Sequence, residues 1–362
     1  MFGIPESYDP TSATDFMKIH ISALTTTDVN VASPGIGYER NLTATGGTTT
    51  TLVLSDSDIV TGAGVSSRGI YIQSEKDISI QVIIRDEYTT DGFLALPYTE
   101  LSVEHFIASY VPVDFSEFVI TAAKDDTSVS ITFKLSGSTY AKFNGRHFYN
   151  ADVLRTTLNK LDTLQVQSEL GDLTGTYVTS DKPVTVTSGC KCAFIPEGVT
   201  ACDYLIEQMP PVTAWRHMYL TTALKTRANN RFRVISSMDD NLIKIGSVKS
   251  ITLNKGEFYE HVDADDLALN VRGEKPILVI QYSEGQSSDG QLGDPAMIIV
   301  PSQLDYGSES VFVTDDGVPN HYVSITIKTT DIDGLRLDGG SISYADMKSV
   351  DDVDANRLAV VS

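Results

Sequence analysis

The chain has 362 residues, 41% hydrophobic and 21% charged, the balance of a folded protein long enough for two to four domains. Its 48 acidic against 27 basic residues leave a formal net charge of −21, which repels nucleic acid and anionic lipid and excludes both as expected partners. No stretch approaches the roughly 20 apolar residues that span a bilayer, and the opening MFGIPESYDP lacks the basic and apolar regions of a secretion signal, so the chain reads as cytosolic or as a segment of something longer.

Strand signals dominate from the start. Phe16–Val31 reads as an aromatic residue, an alternating strand, a turn and a second alternating strand. The same pattern returns at Phe118–Ile131, Phe232–Ile245 and Tyr322–Leu337. Each predicts a β-hairpin, with Asp and Asn supplying most of the turns. Three of the hairpins are followed by a lysine phrase: SEKDISI at Ser74–Ile80, SDKPVTV at Ser180–Val186 and GEKPILV at Gly273–Val279. A pattern repeated about every hundred residues marks an array of similar units. The expected fold is therefore all-β, with tandem antiparallel β-sandwich units in pseudo-repeat. The units are placed at 1–115, with the hairpin opening near residue 16, then at 116–228, at 229–318, and at 319–362 as an incomplete fourth. One segment, Cys202–Met209, reads as a short helix after the cysteine loop, with Leu205, Ile206 and Met209 on one face and Pro210–Pro211 as its stop.

Paired acids mark the hairpin turns: Asp125–Asp126, Asp239–Asp240, and Asp331 with Asp333. Clustered carboxylates suit calcium, but Asp is also a good turn former and no EF-hand spacing occurs, so turn formation is the reading adopted. The runs Asp263–Asp266 and Asp351–Asp354 read as solvated loops. Lys76, Lys182 and Lys275 are expected to cap exposed turns, with Pro183 and Pro276 setting the entry to a strand. No metal and no cofactor is expected. HExxH, GxSxG, Walker A and GxGxxG patterns are all missing, the histidines are scattered singly, and no catalytic residue is assigned. Trp215 is expected to plug a core. Asn41-Leu42-Thr43 is the single glycosylation sequon, meaningful if the chain is secreted.

The three cysteines are Cys190, Cys192 and Cys202. Cys192 and Cys202 enclose a loop containing Pro196 and Gly198 that suits one disulfide, while Cys190 and Cys192 are not expected to pair with each other. Free buried thiols and a metal or catalytic role are the alternatives; zinc would need a fourth ligand, and the nearest histidine is His217.

Gly171–Trp215 closely resembles the signature of the IgGFc-binding protein N-terminal domain family: a strand ending in Ser188-Gly189, then Cys192, Pro196, Cys202-Asp203, Glu207-Gln208, Pro210-Pro211 and Trp215. FNGRHFYNADVLRTTL before it and DPAMIIVPSQLDYGSESVFV after it are also similar to the family. Cys190 and Tyr204 stand where relatives commonly carry histidine, and Arg216 stands in place of a glycine. The resemblance implies a Cys192–Cys202 disulfide with Cys190 as a free thiol. It also implies a secreted or cell-surface, non-enzymatic module that binds proteins or glycans in mucus, matrix, adhesion or innate recognition. A hydrolase with its site between two units and a calcium-stiffened adhesin are the readings from other classes.

Overall fold

The computed structural model describes residues 1–7, 17–54, 59–85, 88–225, 227–247, 249–264, 268–290, 293–309, 312–314, 320–337, 339–342, 348–351 and 357–361. Phe16, Asp265, Asp266, Asp352 and Asp354, singled out above, lie outside them. The fold is all-β, built from antiparallel sheets. It divides into two compact units: Met1–Trp215 with Gly285–Ile298 and Ser310–Val313, and Arg216–Glu284 with Ile299–Glu309 and Thr314–Ser362.

The first unit begins with the hairpin β1 (Met17–Ala23) and β2 (Thr27–Ser33), followed by β3 (Tyr38–Ala44), β4 (Thr48–Leu54), β5 (Gly64–Ser66), β6 (Tyr71–Ser74), β7 (Ile78–Arg85) and β8 (Thr90–Leu94). Alternation decides which face is buried: Met17, Ile19 and Ile21 of β1 and Val29 and Val31 of β2 are sealed from solvent, and the residues between them carry the polar groups. The sheets β4-β1-β7-β8 and β3-β2-β6 contribute these side chains to one shared core, which also takes Phe2 and Ile4 from the first residues of the chain.

The same unit continues with β9 (Ser102–Phe106), the second hairpin β10 (Pro112–Ala122) and β11 (Thr127–Thr132), then β12 (Ala141–Phe143), β13 (Arg146–Phe148), β14 (Val153–Leu158), β15 (Thr163–Ser168), the long β16 (Tyr177–Ala193) and β17 (Asp203–Gln208). These strands form a sheet in the order β13-β12-β15-β10-β16-β11-β14, with β5, β9 and β17 joined to it. The expected helix at Cys202–Met209 is corrected by β17. Asp203–Gln208 is extended and pairs with β16 from Thr187↔Gln208 to Ala193↔Asp203. Five of its six side chains are buried. A strand covered on both faces reads as a continuous apolar run, which a short window cannot distinguish from one helix face.

The second unit holds β18 (Arg216–Thr221), the third hairpin β19 (Asn230–Ser236) and β20 (Asn241–Ile245), β21 (Lys249–Leu253), β22 (Phe258–Asp263) and the long β23 (Leu269–Ser283), around a core of Phe232, Val234, Ile243, Ile245, Val271 and Val279. Here the strand order is β21-β20-β23-β19-β22. The fourth version of the hairpin phrase departs from the others. Ile325–Lys328 pairs with Arg357–Val361, a 3-10 helix covers Thr329–Gly334 and contains Asp331 and Asp333, and Arg336–Leu337 pairs with Gly340–Ser341.

Each lysine phrase is the corner at which a strand changes partner. The early part of β16 pairs with β11 over Tyr177–Ser180 and its later part with β10 over Val184–Ala193. In the same way β23 pairs with β20 over Val271–Gly273 and with β19 over Ile277–Tyr282. In the first copy the corner interrupts the chain, so β6 pairs with β2 and β7 with β1. Bends of this kind let one strand serve two packed sheets. At each corner the lysine ammonium reaches across to the hairpin turn: Lys76 Nζ donates to the Thr26 carbonyl at 2.8 Å, Lys182 Nζ to the Asp125 and Asp126 carbonyls at 2.7 and 2.8 Å, and Lys275 Nζ to the Asp239 carbonyl.

The turn acids have equally local work. Asp126 and Asp240 take left-handed backbone conformations at φ 52° and 49°, which Asp tolerates better than most residues. Asp125 Oδ1 accepts from Lys160 N and Asp239 Oδ1 from Lys255 N, each at 3.0 Å. Those donors sit in a second recurring turn, Asn159-Lys160-Leu161-Asp162 and Asn254-Lys255-Gly256-Glu257, whose third residue has φ 67° and 68°.

Candidate functional site

The chain's signature residues gather where β16 and β17 meet. Gly189 is required there by space: a Cβ on it would lie 1.8 Å from the Leu205 carbonyl oxygen of the facing strand. Ser188 Oγ donates to the Ala108 carbonyl at 2.7 Å, which fixes the neighbouring loop against β16. The next residues turn outward into the loop closed by the Cys192–Cys202 disulfide, with Cα atoms 5.2 Å apart. Cys190 is a free, buried thiol. Its Sγ lies 3.2 Å from Ser109 Oγ and donates to the Tyr110 carbonyl at 3.3 Å, and burial pushes the thiol up to about 12. Burial therefore favours the neutral thiol over the thiolate that attacks or binds metal. Among the described residues no grouping of His, Cys, Asp and Glu is fit to hold a metal ion. His217 instead lies 3.2 Å from the Gly273 carbonyl through Nδ1.

Carboxyl groups surround this corner in two sets. Asp91, on β8, accepts from the Ile206, Gly92 and Met297 amides at 2.9, 2.9 and 3.2 Å and so ties three segments together. Burial raises its pKa to about 8 despite those bonds. Asp203 is raised to about 7, first by burial and then by the nearby charge of Asp294. On the other side, Glu117 is fully buried, and burial holds its carboxyl well above the ordinary range. Its Oε2 accepts from Gln167 Nε2 at 2.8 Å, while Oε1 has no hydrogen-bond partner among the described residues. Lys191 supplies the counter-charge through Glu6 Oε1 at 2.9 Å and Asp114 Oδ2 at 3.5 Å. Glu6 also accepts from the Gly62 amide at 2.7 Å. These groups face backbone amides and one another inside the protein, an arrangement that fastens segments together rather than one that presents a reacting atom to a ligand.

The arrangement open to a ligand lies elsewhere on the same unit, at the edge hairpin β12–β13. Tyr140 and His147 stack with ring centroids 4.0 Å apart and planes 20° from parallel, and Tyr149 meets Tyr140 edge-on at 6.0 Å. Tyr149 is 50% and Leu170 74% exposed. Beside them is a small, shallow depression open to solvent, lined by Ser138, Thr139, Tyr140, Glu169 and Leu170. Lys142 pairs with Glu169 at its rim and lies 5.9 Å from the Tyr140 ring centre. Register explains the juxtaposition: Lys142 stands opposite His147 in the hairpin and opposite Gln167 on β15, and Glu169 and Leu170 directly follow that strand. The aromatic spacing in YAKFNGRHFY is the sequence signal that locates this patch.

The other residues singled out from sequence are dispersed. Asn41 sits exposed on β3. Trp215 is buried, donates from Nε1 to the Pro210 carbonyl at 3.1 Å and packs 5.4 Å from the Phe106 ring.

Comparison with known proteins places this architecture. A model of the family described as IgGFc binding protein matches residues 91–360, which includes the cysteine corner and the aromatic hairpin. The chain belongs to the IgGFc-binding protein family. A human relative, named IgGFc-binding protein, is 26% identical over 345 residues, which are 93% of this chain but 6% of the relative. The chain thus spans a small part of that protein's length. No solved structure matches. In this IgGFc-binding family member the Ser-Gly strand runs into the disulfide loop, and no described helix is long and apolar enough to cross a membrane.

Proposed function

We propose that this chain is an extracellular, non-catalytic protein-binding module whose recognition surface is the patch formed by Tyr140, His147, Tyr149 and Leu170. The observation that carries the reading is the exposed aromatic cluster beside a shallow depression on an edge hairpin. Tyrosines supply large contact area at small conformational cost and concentrate binding energy where a partner excludes water from them. Placement outside the cell is supported by the family and by the disulfide, a bond that persists in oxidising compartments. Mucus, matrix and adhesive surfaces are the settings we favour, with a glycan as the alternative ligand of the same patch. The four-unit division at 115, 228 and 318 is part of this proposal, supported for its first three units by the recurrence of hairpin and lysine corner.

The relative's name makes the Fc part of immunoglobulin G the first partner to test. Immobilised Fc should bind the full chain, and Tyr149→Ala and His147→Ala should each weaken binding about tenfold or more. Full affinity in both variants would remove the patch from the proposal. No binding to Fc would move the search to a panel of secreted proteins and glycans, with the same two variants as the readout.

A further inference from the structure

The sequon Asn41-Leu42-Thr43 lies on β3, which pairs with β2 and, among the described residues, forms the edge of the sheet β3-β2-β6. Glu39, Arg40, Asn41 and Thr43 are all exposed, so an approaching enzyme meets an extended, accessible segment. The Asn41 side chain is also oriented. Its Oδ1 accepts from Asn30 Nδ2 at 2.8 Å on the neighbouring strand, in register with it, so that bond does not use Asn41 Nδ2. Substituting a sugar on Nδ2 leaves that bond intact. The Thr43 hydroxyl donates to Asp28 Oδ1 at 2.9 Å, a single exposed bond that exchanges readily with water. An edge strand presents unpaired backbone groups to any second strand, and a bulky hydrophilic group is one way to cover them.

We infer that Asn41 is an N-glycosylation site and that its glycan shields the free edge of β3. The transfer forms a bond between Asn41 Nδ2 and the anomeric carbon of an oligosaccharide, releases the lipid pyrophosphate that carried it, and moves one amide proton to that leaving group. The inference rests on the extracellular reading above, but its test is independent of any binding partner.

The full chain, fused to a secretion leader, should leave a glycosylating eukaryotic cell with the mass of one N-glycan that an endoglycosidase removes. Asn41→Gln and Thr43→Ala should both abolish the mass shift. Secreted wild-type protein with an unmodified Asn41 would overturn the assignment. The shielding role predicts that glycosylated protein elutes as a monomer while the deglycosylated chain gains a concentration-dependent larger species; identical elution would overturn that role. Fc binding by the same preparations separates the two readings, because glycan occupancy and partner recognition are measured on opposite constituents, β3 and the β12–β13 hairpin.

Discussion

Lys182 Nζ bonds the carbonyls of Asp125 and Asp126, 2.7 and 2.8 Å away, so the corner of one strand closes the hairpin turn formed more than fifty residues earlier. Lys76 and Lys275 repeat the contact with their own hairpins. The ammonium is compact and carries several donors, which suits two adjacent carbonyls.

Lys182→Met keeps the aliphatic stem and removes the donors. The expected loss is about 1 kcal/mol, the net worth of a partly solvated hydrogen bond to a charged donor. Urea unfolding followed by fluorescence measures it. An unchanged midpoint would show that the turn carbonyls are satisfied equally well by water.

Gly189→Ala should be far more damaging. The new methyl would lie 1.8 Å from the Leu205 carbonyl, where both groups belong to paired backbone and neither can swing away. A loss above about 4 kcal/mol, or failure to accumulate as folded protein, is expected. Gly334→Ala is the control, because a Cβ there meets nothing within 4 Å. Equal thermal midpoints for the two variants would contradict the close approach of β16 and β17.

The raised carboxyls set the direction of a pH effect. Asp91, at about 8, and Asp203, at about 7, hold their protons in the folded state longer than in the unfolded chain. Such groups leave stability intact below the ordinary carboxylate range and reduce it as pH climbs through the folded-state values. Glu6 acts the other way: its lowered pKa supports stability that is lost as pH falls below the ordinary range. The melting temperature should therefore decline between about pH 5 and about pH 8, and Asp91→Asn should flatten the decline. A melting temperature that rises steadily over that interval would refute the assignment.

Removing the disulfide with Cys192→Ser and Cys202→Ser together should cost about 2–3 kcal/mol, the loop-closure value for a bridge between residues ten apart. Peptide mapping under non-reducing conditions should recover the 192–202 pair with Cys190 free. Recovery of a pair containing Cys190 would overturn the assignment.

The β12–β13 hairpin shows where local reading falls short. The closely spaced aromatics of YAKFNGRHFY mark the segment, but nothing in the window says which of Tyr140, His147 and Tyr149 meet. Their stacking, and the depression that Glu169 and Leu170 complete, exist because β15 runs beside β12. Cys202–Met209 fails for a related reason. Leu205, Ile206 and Met209 fit a helix face as well as a strand sealed on both sides, and only pairing with β16 decides between them.

By itself the sequence determined the all-β class, the three hairpin-and-lysine phrases and the two cysteines that suit a bridge, because alternation, turn chemistry and short loops are properties of neighbouring residues. Tertiary structure alone decided that the lysine phrase is a corner where pairing partners change, that residues 203–208 form a strand, and that burial raises the carboxyls of Asp91 and Glu117. Those outcomes depend on which distant backbone supplies hydrogen bonds and excludes water, and no local window of the chain contains that information.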